Sequence, residues 1–352
     1  MENNNKRILV LGAFGYFNGH LDGQTIKTRN TYELIKQNYK GKVDYFDTLK
    51  VRKNPLLLFT MLVKIIRCDT IIMLPCLNNL TYLFPMIYYM SKIFCFKIIH
   101  ICIGGWQIEY FKGNERFTDH KKQLELTRRI KAILPEMKRV NEELKSEFAL
   151  SNTEYLPNFR FFEIDGTPIN RSFHDGLKLV YMARINKKKG YKTIFDFVES
   201  IRNSDLKISV DFYGPIEEAD KEDFMSLVSQ YSNRVEYKGV LQPKDIKDTL
   251  SEYDLMLFPT TYYTEGFPGT ILDAYIAGIP VLATNWKHAH EFIDDGETGF
   301  IVPFDNCQED FNNRIKELYS DKERLTKMKS LAQKKSLCYS AEEAWNVLSK
   351  YL

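Results

Sequence analysis

The sequence predicts an α/β protein of two domains, each a parallel sheet covered by helices. Three observations carry that reading. The 352 residues suffice for two domains of ordinary size, each burying its own core. Short apolar runs alternate with amphipathic stretches in two separate blocks, the pattern of parallel strands joined by helices. Between the blocks, Arg160 to Gly176 gathers Gly, Pro, Asn and Asp without periodicity, as a linker does. The expected division is 1–165 and 166–337, with a last helix over about 338–352 that returns to pack on the first domain.

In the first block, RILVL at 7–11 reads as a buried strand that runs into the glycine-rich loop GAFGYFNGHLDGQT and a helix over 24–37. Further strands are expected at 43–46, 70–74, 97–103, 132–134 and 154–156, helices near 55–67 and 80–93, and a charged segment near 141–148. The second block gives strands at 178–182, 208–213, 235–238, 255–258, 281–283 and 299–302, then a closing helix over 341–351 on which Trp345 and Leu348 share a face.

Composition narrows the class. With 44% apolar and 27% charged residues the chain is of the soluble globular kind, not disordered, collagen-like or coiled coil. The net charge of +3 is unevenly spread: the first 165 residues hold 25 Lys+Arg against 17 Asp+Glu, the remainder 24 against 29. The first half is therefore the one suited to an anionic surface or acceptor. Cys68, Cys76, Cys95, Cys102, Cys307 and Cys338 form no C-x-x-C pair and have no His at zinc spacing, so they read as reduced and mostly buried thiols. The opening MENNNKRILVLG passes from a polar tag into a strand without a signal peptide's apolar centre, and the expected location is cytoplasmic, at the inner face of a membrane. Thr70 to Ser91 is 22 residues without a charge, but Pro75, Asn78, Asn79 and Pro85 interrupt it, which suits a buried strand, loop and helix rather than a membrane span.

The densest chemistry lies between Tyr253 and Phe304. A strand, YDLMLFP, runs into a polar loop and then a helix whose first turn is expected to contain Pro268, since its fixed φ and missing N–H suit that position. The amides of Gly269, Thr270 and Ile271 would point out of the helix N-terminus, the geometry that holds a phosphate. Glu265 stands just before this helix and Asp273 inside it. Two carboxylates oppose phosphate binding taken alone; their better use is to accept hydrogen bonds from sugar and ribose hydroxyls. The plainer alternative makes Glu265 a loop carboxylate and Asp273 a helix-face residue. A second cluster supports the functional reading. The strand LVYMAR ends on Arg184, and Lys189 precedes Gly190 at the start of the next helix, so both cations fall at the carboxyl edge of the second sheet, where open α/β sheets bind ligands. They could neutralise a diphosphate leaving group without a metal, whereas Lys187 and Lys188 also read as a solvated cluster. No Asp-x-Asp triplet, the mark of a metal-bound nucleotide sugar, occurs in the chain, and no metal ligand is assigned.

These segments resemble the nucleotide-sugar domain of family 4 glycosyltransferases: YMARINKKKGY, DFYGP (Asp211 to Pro215), RVEYKGVL (Arg234 to Leu241), TEGFPGTILDAYIAGIPVLAT and EFIDDGETGFIVP, in order over about 130 residues. The resemblance implies the GT-B fold, two Rossmann-like domains facing each other across a cleft, and a retaining, metal-independent glycosyltransferase. In such an enzyme Arg184 and Lys189 bind the donor diphosphate and Glu265 the hydroxyls of the transferred sugar. Asp273, where the family usually has Glu, contacts the ribose. The donor-binding set extends to Gly214, Gly266, Phe267, Gly269 and Thr270, with the backbone of Val240 and Leu241 at the nucleobase. No cofactor is implied; a nucleotide diphosphate-sugar, a UDP-sugar first, is the substrate.

The first half is similar to the family more loosely. Gly15, Gly19 and Gly23 leave the backbone after the first strand free to approach a ligand, Gly23 on the donor side and Gly15 on the acceptor side, although the loop lacks G-x-G-x-x-G spacing. HICIGGW ends a strand on Gly104 and Gly105 with Trp106 beyond, and these three complete the acceptor-side candidates. His100 reads as a core histidine or a catalytic one. Lys121, Lys122, Arg128, Arg129 and Lys131 suit a lipid-linked acceptor at an anionic membrane face, or simply a solvated helix. DGQTIKTR and IGGW resemble bacterial transferases of surface-polysaccharide assembly, which implies a lipid-linked or polysaccharide acceptor and no nucleic acid. The alternatives are a nucleotide-sugar epimerase or phosphorylase on the same fold, and a non-catalytic sugar-nucleotide-binding protein.

Overall fold

The computed structural model describes residues 6–17, 22–113, 120–163 and 176–352. The chain divides into two compact units: unit 1 is Met1–Phe161 with Tyr339–Leu352, and unit 2 is Phe162–Cys338. Gly19 and most of the expected linker lie outside the described residues.

Among the described residues, unit 1 has a parallel sheet of β1 (Arg7–Gly12), β2 (Lys42–Asp47), β3 (Thr70–Leu74), β4 (Lys97–Ile101) and β5 (Ala132–Leu134), in the order β2-β1-β3-β4-β5. β1 and β3 are continuous apolar runs because helices cover both faces. These are α1 (Gly23–Asn38), α2 (Leu57–Ile66), α3 (Phe84–Phe94), α4 (Gln107–Lys112), α5 (His120–Arg128) and α6 (Lys138–Ser146). The 70–91 stretch resolves into β3, a loop, a π-turn over Asn79–Leu83 and α3, and no described helix is long and apolar enough to cross a membrane. The charged segment is α6, which buries Val140 and Leu144.

The strand expected at 154–156 does not form. β5 is only three residues long, and its one bridge in this region, Ile133 to Thr153, falls on the residue before the segment. Leu156 instead donates its amide to the Pro135 carbonyl at 2.9 Å and buries its side chain. The strand expected over 97–103 stops at Ile101.

Unit 2 has β6 (Leu177–Met182), β7 (Ile208–Tyr213), β8 (Val235–Gly239), β9 (Leu255–Phe258), β10 (Val281–Thr284) and β11 (Gly299–Val302), parallel and in the order β11-β10-β9-β6-β7-β8. Its helices are α7 (Tyr191–Ser200), α8 (Lys221–Gln230), α9 (Ile246–Leu250), α10 (Gly269–Ile276), α11 (Ala289–Phe292), α12 (Gln308–Ser320) and α13 (Lys322–Ser336). Aromatic rings fill the layer between sheet and helices: Phe195 stacks on Phe212 at 5.3 Å and Phe224 meets both edge-on. α13 is fastened by a buried ion pair, Lys329 to Asp254 at 2.6 Å, whose carboxylate also accepts the Lys178 amide.

The chain then returns to unit 1 as α14 (Ala341–Leu348). Ser340 caps it by accepting the Glu343 amide at 3.2 Å, Ala344 and Leu348 are fully buried in the unit 1 core, and Lys350 and Tyr351 both bond Glu154 at 2.6 Å.

All six cysteines are free, but only Cys68 and Cys102 are buried; Cys76 and Cys307 are half-buried, and Cys95 and Cys338 exposed. The expectation of mostly buried thiols therefore fails, in part because Cys95 ends α3 in a left-handed conformation at φ 58° on the surface. Burial pushes the Cys68 thiol up to about 12 and the Cys102 thiol upward as well.

Candidate active site

Strand order decides where each unit can hold a ligand. In unit 2, successive connections run from β6 outward to β7 and β8, then cross back to β9 and outward to β10 and β11. The loops after β6 and β9 therefore diverge at adjacent strands, and the crevice at their carboxyl ends is the topological switch point.

The loop after β6 carries Arg184 and Lys189. Asn186 accepts the Lys189 amide at 2.9 Å and so caps the single turn Lys187–Lys189. Gly190 follows at φ 80°, and a Cβ there would stand 1.7 Å from the Pro259 carbonyl oxygen, so the turn sits directly on the end of β9. The loop after β9 is tied to the same turn, because Thr261 donates its amide to the Lys188 carbonyl at 2.9 Å. Across this junction Lys189 Nζ forms an ion pair with Glu265 Oε2, both side chains being mostly shielded. Arg184 is more exposed; its guanidinium lies 3.6 Å from Glu217, while its carbonyl accepts the hydroxyl of buried Tyr181 at 3.1 Å. Burial raises the Tyr181 phenol, which keeps it a donor.

Helix α10 starts at the same edge, with Pro268 in extended geometry at the capping position rather than inside the first turn. The Ile271 amide donates to the Pro268 carbonyl at 3.0 Å, so it does not point outward as the sequence suggested. Thr270 uses its hydroxyl on the Met182 carbonyl at 2.6 Å, which ties the helix start to β6. Gly269 is half-buried at the helix start, and Asp273 is half-buried one turn along. Gly266 is half-buried, whereas the Phe267 ring is buried and stacked on Phe292 at 4.1 Å, leaving backbone as what residue 267 can offer a ligand.

Gly214 takes φ 132° after a bulge between β7 and β8, and a Cβ would meet the Ala183 carbonyl oxygen at 1.9 Å. Bulges of this kind re-aim a strand end. Val240 and Leu241 follow β8 at the same sheet edge, Val240 exposed and Leu241 half-buried. A cavity of about 470 Å³ lies instead at the amino ends of β6 and β7, lined by Lys178, Lys207 and Arg234. The Arg234 guanidinium there is committed to the carbonyls of Ile201, Ser204, Leu206 and Ile208.

In unit 1 the switch point lies between β1 and β3. Gly15, at φ 62°, donates its amide to Asp47 at 3.0 Å. Gly23 opens α1, where Asp22 caps by accepting the Thr25 amide at 2.8 Å, and a Cβ on Gly23 would meet nothing within 4 Å. Gly104, at φ 75°, Gly105 and Trp106 follow β4, with Trp106 edge-on to Tyr110 at 5.8 Å. The sequence reading missed what holds this loop: Glu136, buried after β5, accepts the Gly104 amide at 2.6 Å and pairs with buried Lys27 of α1 at 2.5 Å. One signal was present, since Lys27 shares the inward face of α1 with Thr31 and Leu34, where only a buried acid makes a lysine tolerable. His100 is fully buried in β4, with Nδ1 lacking a partner and Nε2 3.9 Å from Cys102 Sγ, and burial pushes its pKa down to about 4.

The fold and these sites define two Rossmann-like domains of the GT-B class, and residues 167–335 match the family described as Glycosyl transferases group 1. That match covers just under half of the chain. Similar proteins include the capsular polysaccharide biosynthesis glycosyltransferase CapM of Staphylococcus aureus, 28% identical over 41% of this chain and 38% of that protein. A colanic acid biosynthesis glycosyltransferase, WcaL of Salmonella typhimurium, described as putative, is 25% identical over 38% of this chain and 34% of its own length. The chain thus spans little more than a third of these relatives. Among solved structures, Anabaena HepE in complex with UDP and glucose superposes with a TM-score of 0.70 at 15% identity, covering 98% of this chain and 99% of that one. Sucrose-phosphate synthase from Thermosynechococcus elongatus gives 0.73 at 14% identity, covering 98% of each.

Proposed function

We propose that the protein is a retaining, metal-independent glycosyltransferase that moves a sugar from a nucleotide diphosphate-sugar to an acceptor hydroxyl. The observation that carries this reading is the pairing of Lys189 and Glu265 across the β6/β9 switch point, with Arg184 in the same loop after β6 as Lys189. Breaking the bond between the anomeric carbon and the diphosphate leaves an oxocarbenium-like sugar and a leaving group that gains charge. Fixed cations at that oxygen stabilise the transition state more than the ground state. Glu265 accepts hydroxyl hydrogen bonds from the transferred sugar, Asp273 takes the ribose, and backbone at Gly214, Val240 and Leu241 flanks the base. Retention is carried by the resemblance to family 4. The UDP bound to HepE makes a UDP-sugar the first donor to test. The named relatives act in capsule and colanic acid synthesis, which supports a lipid-linked or polysaccharide acceptor on the inner face of a membrane, in the cytoplasm.

The test is incubation with a panel of nucleotide sugars, reading free nucleoside diphosphate. Release from one donor that depends on an added acceptor and survives EDTA is the expected result. Interconversion of the sugar without release would make the protein an epimerase. Tight donor binding with neither reaction would make it a binding protein.

A further inference from the structure

The outward face of α2 and α3 is apolar where a surface helix ordinarily turns polar residues to water. In unit 1 the chain moves from β2 across β1 to β3, β4 and β5 in one direction, and right-handed crossovers put α2, α3 and α5 together on one face of the sheet. On α3, Phe84, Ile87 and Tyr88 face the core, while Met86, Tyr89 and Ile93 recur on the opposite side and Tyr82 continues the row; Ile93 is 73% exposed and Tyr82 70%. On α2 and the residue before it, Met61 and Ile65 are buried, but Leu56 is 82% exposed and Phe59 74%, with Ile66 exposed further along.

Charge decides what such a face can meet. Between Thr48 and Ile108 the chain has seven cationic residues, Lys50, Arg52, Lys53, Lys64, Arg67, Lys92 and Lys97, and one acid, Asp69. Asp69 accepts the Arg7 amide at 2.7 Å. Lys53, Arg67 and Lys92 are exposed beside the apolar positions, and Lys122 of α5 lies over the Tyr89 ring at 5.6 Å. A second copy docked face to face would bring like charges together, which is unfavourable. A bilayer with anionic headgroups meets both features: aromatic and aliphatic side chains enter the boundary between headgroups and acyl chains while Lys and Arg reach the phosphates.

We propose that this face docks unit 1 on an anionic lipid bilayer, with Leu56, Phe59 and Ile93 inserted and Lys53, Arg67 and Lys92 at the headgroups. The proposal deepens the lipid-linked acceptor named above and rests on that reading only for what docking serves. It also moves the membrane contact away from Arg128 and Arg129, which are paired with Glu125.

The full chain is sedimented with vesicles of phosphatidylcholine and phosphatidylglycerol in equal parts, and with phosphatidylcholine alone. Binding is expected on the mixed vesicles, weaker on the neutral ones and falling as salt rises. Phe59→Ser with Ile93→Ser should lose about tenfold or more in affinity, and Arg67→Gln with Lys92→Gln about fivefold per cation. All four positions are exposed, so the variants should melt like the parent. The proposal is overturned by no binding to mixed vesicles, or by binding that neither double variant weakens. A dimer that Phe59→Ser with Ile93→Ser converts to monomer, without vesicle binding, overturns it in favour of a second copy. Sedimentation reads no turnover, so a chain that binds vesicles but releases no nucleoside diphosphate loses the transferase reading and keeps this one.

Discussion

On the proposed function Lys189 and Glu265 have separate tasks on a donor, yet the structure joins them in one ion pair, so each sets the other's field. Lys189→Ala should raise the barrier by about 2–4 kcal/mol, the scale for one donor to a developing anion. The double variant Lys189→Ala/Glu265→Gln should cost less than the sum of the single ones, because contacting charges are coupled. Turnover at saturating donor for the four proteins of the cycle checks this; strict additivity would dissolve the pair as a unit, and a near-normal rate for Lys189→Ala would remove it from the site. His100 yields a different prediction. Its pKa falls from 6.5 to about 4 because burial penalises the charged ring. The unfolded chain therefore binds the proton first as pH falls. Stability contributed by the neutral ring is complete above pH 6.5 and is lost progressively down to pH 4, by about 3 kcal/mol. His100→Leu should flatten that part of the profile in urea titrations at neutral and mildly acidic pH. An unchanged slope would place the acid sensitivity elsewhere.

At the scale of elements, Gly190 joins the cationic turn to α7 and lets it rest on β9. Alanine there combines a left-handed conformation with a backbone clash at Pro259, so Gly190→Ala should destabilise by about 3 kcal/mol or more and weaken donor binding by displacing Lys189. Gly23→Ala, at an open helix start, should be neutral or slightly stabilising, so any loss of turnover in it would be functional. Urea midpoints for the two variants compare them directly. The same contrast explains what the sequence made legible. Strands at 70–74, 255–258 and 299–302 have the expected bounds because apolar runs mark them, and 208–213 has them although Ser209 and Asp211 interrupt the run, since Ile208, Val210 and Phe212 are buried at alternate positions. The segment at 154–156 has the right residue types but no strand long enough to pair with. The loops of Arg184 and Glu265 could be placed at one sheet edge because each follows the carboxyl end of a strand in a parallel sheet. The buried Lys27–Glu136 pair could not be, because its partners are 109 residues apart and only folding brings them together.

For the whole molecule, the telling feature is that unit 1 is completed by the last 14 residues of the chain, after all of unit 2 has been traversed. α14 contributes Ala344 and Leu348 to the same buried cluster as Ile8, Val10, Ile72 and Ile99, and Glu154 is bonded by both Lys350 and Tyr351. Losing one fully buried leucine costs about 2–5 kcal/mol, a large part of the 5–15 kcal/mol that holds an ordinary domain together. A chain ending at Cys338 should therefore lose unit 1 preferentially. Hydrogen exchange resolves the two units: amides of β1, β3 and α1 are expected to exchange much faster than in the full chain, while those of β6, β7 and β9 keep their protection. Nucleoside diphosphate affinity, read by calorimetry, should survive to the extent that unit 2 alone holds the donor. Uniform loss of protection in both units would mean that they fold as one cooperative body, and unchanged protection in β1 and β3 would mean that α14 is dispensable to the core it enters.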